Sequence, residues 1–304
     1  MKYNIDKELK SLSIFSGAVI GRLYPLINFG YKLKKCTSDK YVNVKEYTTP
    51  GYKGEKISTL VIEPKQYSGN LPCIMFFHGG GFILKASDAH YQIAKWYAQR
   101  ANCKVVMPDY RLLPEYKYPV AVEDCYSAYL WMLESAEELG INKDMIIVAG
   151  DSGGGNISAA VTAMLNDRGL PIPKGMMLIY PVLDRRMQTE SMKRFTDTPI
   201  WDSRCMKWFW PIYLGECDND QAKYASIAEL ESLSYFPQTY MEVAEFDCLR
   251  DEGIEFAARL QSEGIPAEVH KVSGACHGYE AALKSAIVEK CMNRRIEWIR
   301  SLCK

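Results

Sequence analysis

The stretch VAGDSGGGN, residues 148–156, sets one serine among glycines between an apolar run and a helix-like segment. The run MIIVAG (145–150) has the composition of a buried strand, and NISAAVTAMLNDR (156–168) has helical periodicity. Ser152 therefore falls in a tight strand-to-helix turn with the spacing G-x-S-x-G, where small neighbours relieve the clashes of a strained backbone. Amides that open the helix favour negative charge beside the hydroxyl. We expect Ser152 to be a nucleophile.

Two other interpretations of these letters have to be weighed. A glycine-rich turn can simply reverse the chain or bind a phosphate, but the sequence contains neither G-x-x-x-x-G-K-[ST] nor G-x-G-x-x-G. GDSGG also occurs in chymotrypsin-like proteases, where a proline follows and the serine comes last in the triad. Here residue 155 is glycine, the only upstream histidines are His78 and His90, and the surrounding sequence is helix-rich. We reject the protease interpretation.

Strand-like and helix-like segments alternate around the serine from about residue 57 onward, which is typical of βαβ units. Strands are predicted at 58–64, 73–77, 104–108, 145–150, 175–181, 238–244 and 267–272. Helices are predicted at 88–100 with Asp88 as the cap, 121–139, 156–168, 251–264 and from about Glu280. The pattern indicates an α/β fold with a mostly parallel central sheet flanked by helices.

The alternation pauses between about residues 183 and 234. This gap holds PIWDSRCMKWFWPIYLG (199–215), whose aromatic residues suit an inserted helical cap better than another βα unit. The first forty residues are also predicted to be helical and to help roof the sheet. We therefore predict a core at 46–183 and 234–304, with a cap formed by 1–45 and the insertion 184–233.

HGGGF (78–82) directly follows the predicted strand 73–77. Successive glycines let consecutive amides point into one spot that side chains would obstruct. The amides of Gly80 and Gly81, with that of Gly153, are candidates for an oxyanion hole, where each donor contributes roughly 3 to 4 kcal/mol in the transition state. A flexible loop is the alternative, and His78 is interpreted as structural.

An acid and a base must follow the late strands if the chain order is Ser, Asp, His. Asp247 comes just after the strand 238–244, and His277 comes just after the strand 267–272. Asp251 and Glu245 compete for the role of the acid. In this arrangement the histidine takes the serine proton and returns it to the leaving group, while the acid fixes the imidazole tautomer.

Five ordered motifs together resemble the hormone-sensitive-lipase-like branch of the α/β-hydrolases, which includes microbial acetyl esterases and carboxylesterases. They are HGGGF (78–82), DYRLLPEYKYPVAVED (109–124), GDSGGGN (150–156), DCLRDEG (247–253) and HGY (277–279). The resemblance covers about residues 60–300 and implies an α/β-hydrolase fold. It also implies roles as nucleophile, acid, base and oxyanion donors for Ser152, Asp247, His277, Gly80, Gly81 and Gly153.

The departures from the family pattern are modest and remove no catalytic atom: Gly153 replaces a common alanine, Cys248 a common proline and Tyr279 a common phenylalanine. The charged residues of the second motif are interpreted as structural groups that brace the oxyanion loop and the sheet. These are Asp109, Arg111, Glu115 and Asp124.

The resemblance implies a serine ester hydrolase that acts on short-acyl esters in a pocket beneath the cap. Candidates to line this pocket are Trp201, Trp208, Phe209 and Tyr213, although core packing between cap helices explains the same aromatics equally well. An amidase, a peptidase or an acyltransferase would use the same triad. Plant gibberellin receptors share the fold without catalysis, but they lack the catalytic histidine, whereas His277 is present here.

The composition limits the kinds of binding partner and cofactor that we expect. Thirty-seven basic and thirty-seven acidic residues cancel without a long run of like charge, so we expect no nucleic-acid binding. Ten scattered cysteines without a CxxC pair or a leader-like start fit a reducing cytoplasm, and neither a metal site nor another cofactor is expected. The run 13–21 is too short for a membrane anchor and is interpreted as a helix docked on the protein. A homo-oligomer is compatible with the sequence.

Overall fold

The computed structural model describes residues 2–217 and 222–303, so the part of the insertion at 218–221 lies outside the described residues. In the described part, eight strands form one central sheet. They are β1 (Val42–Pro50), β2 (Lys56–Pro64), β3 (Leu71–Phe77), β4 (Lys104–Pro108), β5 (Ile141–Asp151), β6 (Gly175–Ile179), β7 (Gln238–Phe246) and β8 (Ala267–Cys276).

The strand order is β1-β2-β4-β3-β5-β6-β7-β8. β1 and β2 pair antiparallel, as do β2 and β4, and every other neighbouring pair runs parallel. Because the carboxyl ends of parallel strands meet at one edge, residues that follow β3, β5, β7 and β8 converge there. The predicted mostly parallel sheet is confirmed.

Helices cover both faces of the sheet. They are α1 (Gly17–Lys32), α2 (Asp88–Ala101), α3 (Val120–Glu134), α4 (Gly153–Asp167), α5 (Glu190–Arg194), α6 (Ser203–Leu214), α7 (Arg250–Ser262) and α8 (Ala286–Leu302). One core layer contains buried residues of α3, α4 and α7, such as Ala128, Ala160 and Ala257. The second lies under α2 and α8 and includes Ala94 and Met292.

Two local predictions were wrong, and one strand was not predicted. The unpredicted strand is β1, whose half-exposed edge position leaves it without a continuous apolar run. The cap of α2 is Ser87 rather than Asp88, because the Ser87 and His90 side chains form a reciprocal capping box. The last helix begins at Ala286 rather than near Glu280, since Ser285 accepts a hydrogen bond from the Val288 amide and starts it there.

The N-terminal segment consists of a 3₁₀ helix (Lys7–Ile14) followed by α1. Within residues 2–217 and 222–303, no single helix has the length and apolar composition to cross a bilayer. The 3₁₀ helix and α1 pass that test only as a pair, and the pair is bent by 70°.

Candidate active site

Ser152 joins β5 to α4 in a strained conformation, with φ of 53° and ψ of −117°. Its neighbours have to be glycine: a Cβ on Gly150 would lie 2.2 Å from the Gly154 carbonyl oxygen. A Cβ on Gly154 would lie only 1.9 Å from the Phe77 carbonyl oxygen. The turn also has a hydrogen bond of 2.8 Å from the Ser152 amide to the carbonyl of Ile179. The sequence G-x-S-x-G is therefore a steric requirement of this turn.

His277 lies between the serine and a carboxylate. Its Nε2 is 2.9 Å from Ser152 Oγ, and its Nδ1 is 2.7 Å from Asp247 Oδ2. All three side chains are buried, and the second oxygen of Asp247 accepts a hydrogen bond of 3.0 Å from the Leu249 amide. Asp247 follows β7 and His277 follows β8, so the topology brings together three residues far apart in the chain.

The competing acids have other partners. Glu245 accepts a hydrogen bond of 2.7 Å from the Gly274 amide. Asp251 accepts one of 2.7 Å from the Ser191 amide and pairs with Arg250. Neither carboxylate is bonded to His277.

Two other histidines, His78 and His270, occupy structural positions. His78 stacks on Tyr110 with ring centroids 4.5 Å apart, and burial together with the neighbouring His90 lowers the pKa of His78 to about 4. His270 lies within β8, where it packs on Tyr240 near Glu268.

The loop after β3 lies beside the serine turn. Gly80 and Gly81 have φ of 116° and 61°, values that favour glycine. The amides of Ile83 and Leu84 both donate to the Gly80 carbonyl, at 3.1 and 2.9 Å, and close the loop into a compact turn. A Cβ on Gly81 would lie 2.8 Å from the ring of Trp201. Gly153 is the first residue of α4, where helix amides have no intrahelical acceptor.

Asp151 links the serine turn to this loop, a role that sequence reasoning missed. Its Oδ1 accepts a hydrogen bond of 3.0 Å from the Gly79 amide, and its Oδ2 lies 3.2 Å from His90 Nε2. The other His90 nitrogen, Nδ1, accepts from the Ser87 amide at 2.9 Å, so Nε2–H donates the hydrogen bond to Asp151 Oδ2. Burial raises the pKa of Asp151, but His90 outweighs it, and the net pKa is below the ordinary value.

A cavity of about 560 Å³ opens above Ser152 and His277 and is lined by Gly80, Gly81 and residues of α1. Of the four aromatic candidates, Trp201 lies in its wall. Trp208 packs edge-on against Trp201 at 5.5 Å.

The other two aromatic candidates are core residues. Phe209 and Tyr213 are fully buried and pack on Phe82, with ring centroids at 5.8 and 4.4 Å. Their helical spacing therefore reflects packing of α6 on the sheet domain more than contact with the cavity.

A buried ionic network lies behind His277 and was also missed. Arg295 of α8 pairs with Glu242 and donates to Glu280 at 2.6 Å and to the Tyr279 hydroxyl at 2.8 Å. Burial raises the pKa of Glu242, but Arg295 outweighs it and lowers the net value. The network fixes the segment that directly follows His277.

The charged residues of the second motif have structural partners. Arg111 binds both oxygens of Asp124, at 2.9 and 2.7 Å, and Lys85 binds Asp109 at 2.7 Å. In the part of the chain that the structure describes, no three histidine, cysteine or acidic side chains are grouped as a metal ion would require.

Comparisons with known proteins support the fold described above. A family model described as an alpha/beta hydrolase fold matches residues 74–281. Esterase LipI of Mycobacterium tuberculosis is 37% identical over 210 residues, which are 68% of this chain and 65% of that protein. The chain thus spans slightly less than two thirds of the length of that relative.

Two further proteins are similar over a larger share of their own length. Carboxylesterase NlhH of Mycobacterium tuberculosis is 35% identical over 238 residues, which are 77% of this chain and 75% of that protein. The solved structure of a bacterial heroin esterase superposes with a TM-score of 0.88 at 30% identity, covering 99% of this chain and 98% of that one.

Proposed function

Because this chain belongs to the α/β-hydrolase fold family, we propose that it is a serine carboxylesterase that hydrolyses short-acyl esters through an acyl-enzyme. The predicted relationship to the hormone-sensitive-lipase-like branch is confirmed by the esterase relatives. The observation that carries the proposed mechanism is the chain of contacts from Ser152 Oγ through His277 to Asp247, at 2.9 and 2.7 Å.

This chain of contacts supports a two-step reaction. As Ser152 Oγ bonds to the acyl carbon, His277 Nε2 takes the hydroxyl proton, and the carbonyl oxygen becomes an oxyanion. Collapse of this intermediate breaks the bond to the alcohol oxygen, which takes the proton from His277. Water then repeats the sequence on the acyl-enzyme and releases the acid. Asp247 accepts from Nδ1–H throughout and stabilises the imidazolium.

We assign the oxyanion hole to the amides of Gly80, Gly81 and Gly153. Support comes from the positive φ of both loop glycines and from the position of Gly153 at the start of α4. Gly80, Gly81 and Ser152 also line one cavity. Donors fixed in this way cost no reorganisation when charge develops in the transition state.

The size and lining of the cavity favour a small, largely apolar substrate. Its volume of about 560 Å³ lies within the usual range for small-molecule sites, and Ile20, Ile27 and Trp201 contribute apolar surface. We propose that the insertion 184–233 and the segment ahead of β1 form a cap over it, whereas residues 42–45 of the predicted 1–45 belong to the central sheet. Gly17 of α1 supports this, because it packs so closely on Cys205 of α6 that a Cβ there would lie 2.1 Å from the sulfur.

The test is a series of p-nitrophenyl esters of increasing acyl length, with the p-nitroanilide of the best acyl group beside it. We expect the shortest esters to react fastest and the anilide to react far more slowly. An anilide that reacts as fast as its ester would instead favour an amidase.

Ser152→Ala should lower turnover roughly 10⁴-fold or more, and Asp247→Asn should cause a similar loss through the wrong imidazole tautomer. Ser262→Ala is the matched control, since Ser262 is an exposed serine on α7. Labelling of the wild-type protein by a fluorophosphonate, located by peptide mass spectrometry, should fall on Ser152. Unchanged turnover in Ser152→Ala would reject the proposal.

A further inference from the structure

The helix α1 turns a broad apolar face to solvent. Val19, Leu23, Leu26, Phe29 and Leu33 follow each other at intervals of three or four residues, which places them on one side of the helix. Leu26 and Leu33 are 68% and 73% exposed, although large aliphatic side chains of folded proteins are usually buried. With Ile14 and Phe15 they form what we call the outer face of α1.

The opposite side of α1 is already occupied. Gly17 is buried against α6, and Ile20, Ile27 and Tyr31 line the cavity. Asn28 donates to the Ile83 carbonyl at 2.8 Å and accepts from the Lys85 amide at 2.9 Å. These contacts fix the rotation of the helix, so the outer face cannot turn inward without breaking them.

The same segment is strongly cationic. No acidic residue occurs between Glu8 and Asp39, whereas the whole chain balances its charges. The basic residues of this segment are Lys10, Arg22, Lys32, Lys34 and Lys35. Lys34 pairs with Asp88, while Arg22, Lys32 and Lys35 are exposed and have no ion-pair partner among the described residues.

We propose that the outer face of α1 docks this protein on the surface of an anionic lipid membrane. Exposed aliphatic and aromatic side chains beside lysine and arginine, in a segment that contains no acid between Glu8 and Asp39, are the combination that lies in the interface of such a membrane. A second copy paired symmetrically through this face would bring the two cationic segments together, so charge opposes that occupant. The helix is also too short to span, since 16 residues reach about 24 Å.

Docking would place the cavity at the lipid surface. Leu26 and Phe15 belong both to the outer face and to the cavity lining, so the entrance lies at the edge of the docked helix. An ester dissolved in the membrane would then reach the cavity without crossing bulk water. The docking itself goes beyond the proposed esterase function and does not depend on it.

Vesicle co-flotation tests the proposal in the Ser152→Ala background, so that hydrolysis cannot alter the lipid. Phosphatidylcholine vesicles with phosphatidylglycerol should retain the protein, and pure phosphatidylcholine vesicles should retain at least tenfold less. High salt should release it, because salt screens the attraction between lysines and lipid. Lys32→Gln/Lys35→Gln should weaken binding to the anionic vesicles by about tenfold or more.

Leu26→Glu/Phe29→Glu should abolish the flotation without lowering the melting temperature, because both side chains are exposed. Ile172→Glu/Ile254→Glu is the matched control, since these residues are also exposed but lie outside α1, and it should float like the parent. Failure of the parent to float with anionic vesicles would overturn the proposal. So would a dimer, seen by light scattering, that Leu26→Glu/Phe29→Glu dissociates while flotation is unaffected.

Discussion

Asp151 Oδ1 accepts a hydrogen bond of 3.0 Å from the Gly79 amide, so the residue before the proposed nucleophile anchors the loop that carries the proposed oxyanion donors. Gly79 and the Asp151 carboxylate are so close that a Cβ on Gly79 would lie 2.1 Å from Asp151 Oδ2. His90 holds that second oxygen. The serine turn and the glycine loop are thus positioned against each other by one buried carboxylate.

Asp151→Ala should lower kcat about 10²-fold with little change in KM. The loop glycines would lose their anchor, and a misplaced oxyanion donor costs about that much in the transition state. Asp151→Asn keeps an oxygen for the Gly79 amide but places its NH2 group against His90 Nε2–H, so it should lose less activity than Asp151→Ala without matching the wild type. Steady-state kinetics on a short p-nitrophenyl ester give both constants. Equal losses in the two variants would show that the hydrogen bond to the Gly79 amide is not what positions the loop.

Local motifs made much of this site predictable. The turn at Ser152, the glycine loop and the order of Asp247 and His277 follow from short stretches at the ends of strands. The Gly79 amide and Asp151 are 72 positions apart, and nothing in either motif indicates that they meet. His90 likewise carries no pattern of its own, since its partners come from a capping turn and from the serine turn.

Glu252 on α7 should make stability depend on pH. The residue is buried; its Oε1 accepts from the Leu183 amide at 2.7 Å, and its Oε2 has no hydrogen-bond partner among the described residues. Burial, reinforced by the carboxylates of Asp184 and Asp247, raises the pKa of Glu252 well above its ordinary value. The folded protein therefore holds this proton more tightly than the unfolded chain does.

This difference in proton affinity sets the direction in which stability changes with pH. The contribution of Glu252 to stability is fully present below its unfolded pKa of about 4.3 and is lost as pH rises through the folded pKa. Glu252→Gln mimics the protonated side chain at every pH. Its advantage over the wild type should be small near about pH 4 and should grow by up to about 1.4 kcal/mol per pH unit above that, until the folded pKa is passed. Urea unfolding across this range measures it.

Glu138→Gln is the control for that comparison, because Glu138 is exposed. Its free energy of unfolding should track the wild type at every pH. A Glu252→Gln variant that also tracks the wild type would contradict the raised pKa.

Long-range packing accounts for what the sequence did not reveal. β1 lies at a half-exposed edge, so its apolar pattern is weak, and its strand character depends on pairing with β2. Arg295 lies in a C-terminal helix whose sequence pattern is that of an ordinary surface helix, yet its side chain is fully buried. Its acidic partner, Glu242, is 53 positions away on β7, so no local pattern indicates the pair. Phe209 and Tyr213 were candidates for the pocket because the sequence does not show which side of α6 faces the sheet.

Arg295→Met should destabilise the protein by about 3 to 5 kcal/mol, because it leaves the buried Glu242 carboxylate without its cation. The double variant Arg295→Met/Glu242→Gln removes both charges and should recover much of that loss. Arg294→Met, next to it on α8 but only half-buried, should change stability by less than about 0.5 kcal/mol. Urea unfolding of the wild type and these three variants measures the differences in stability. A double variant no more stable than Arg295→Met would show that the arginine acts through packing or through Glu280 rather than through Glu242.

Activity provides a second measurement. Arg295 also donates to the Tyr279 hydroxyl at 2.8 Å, and Tyr279 is two residues after His277. We therefore expect kcat of the folded Arg295→Met protein to fall while KM stays close to that of the wild type.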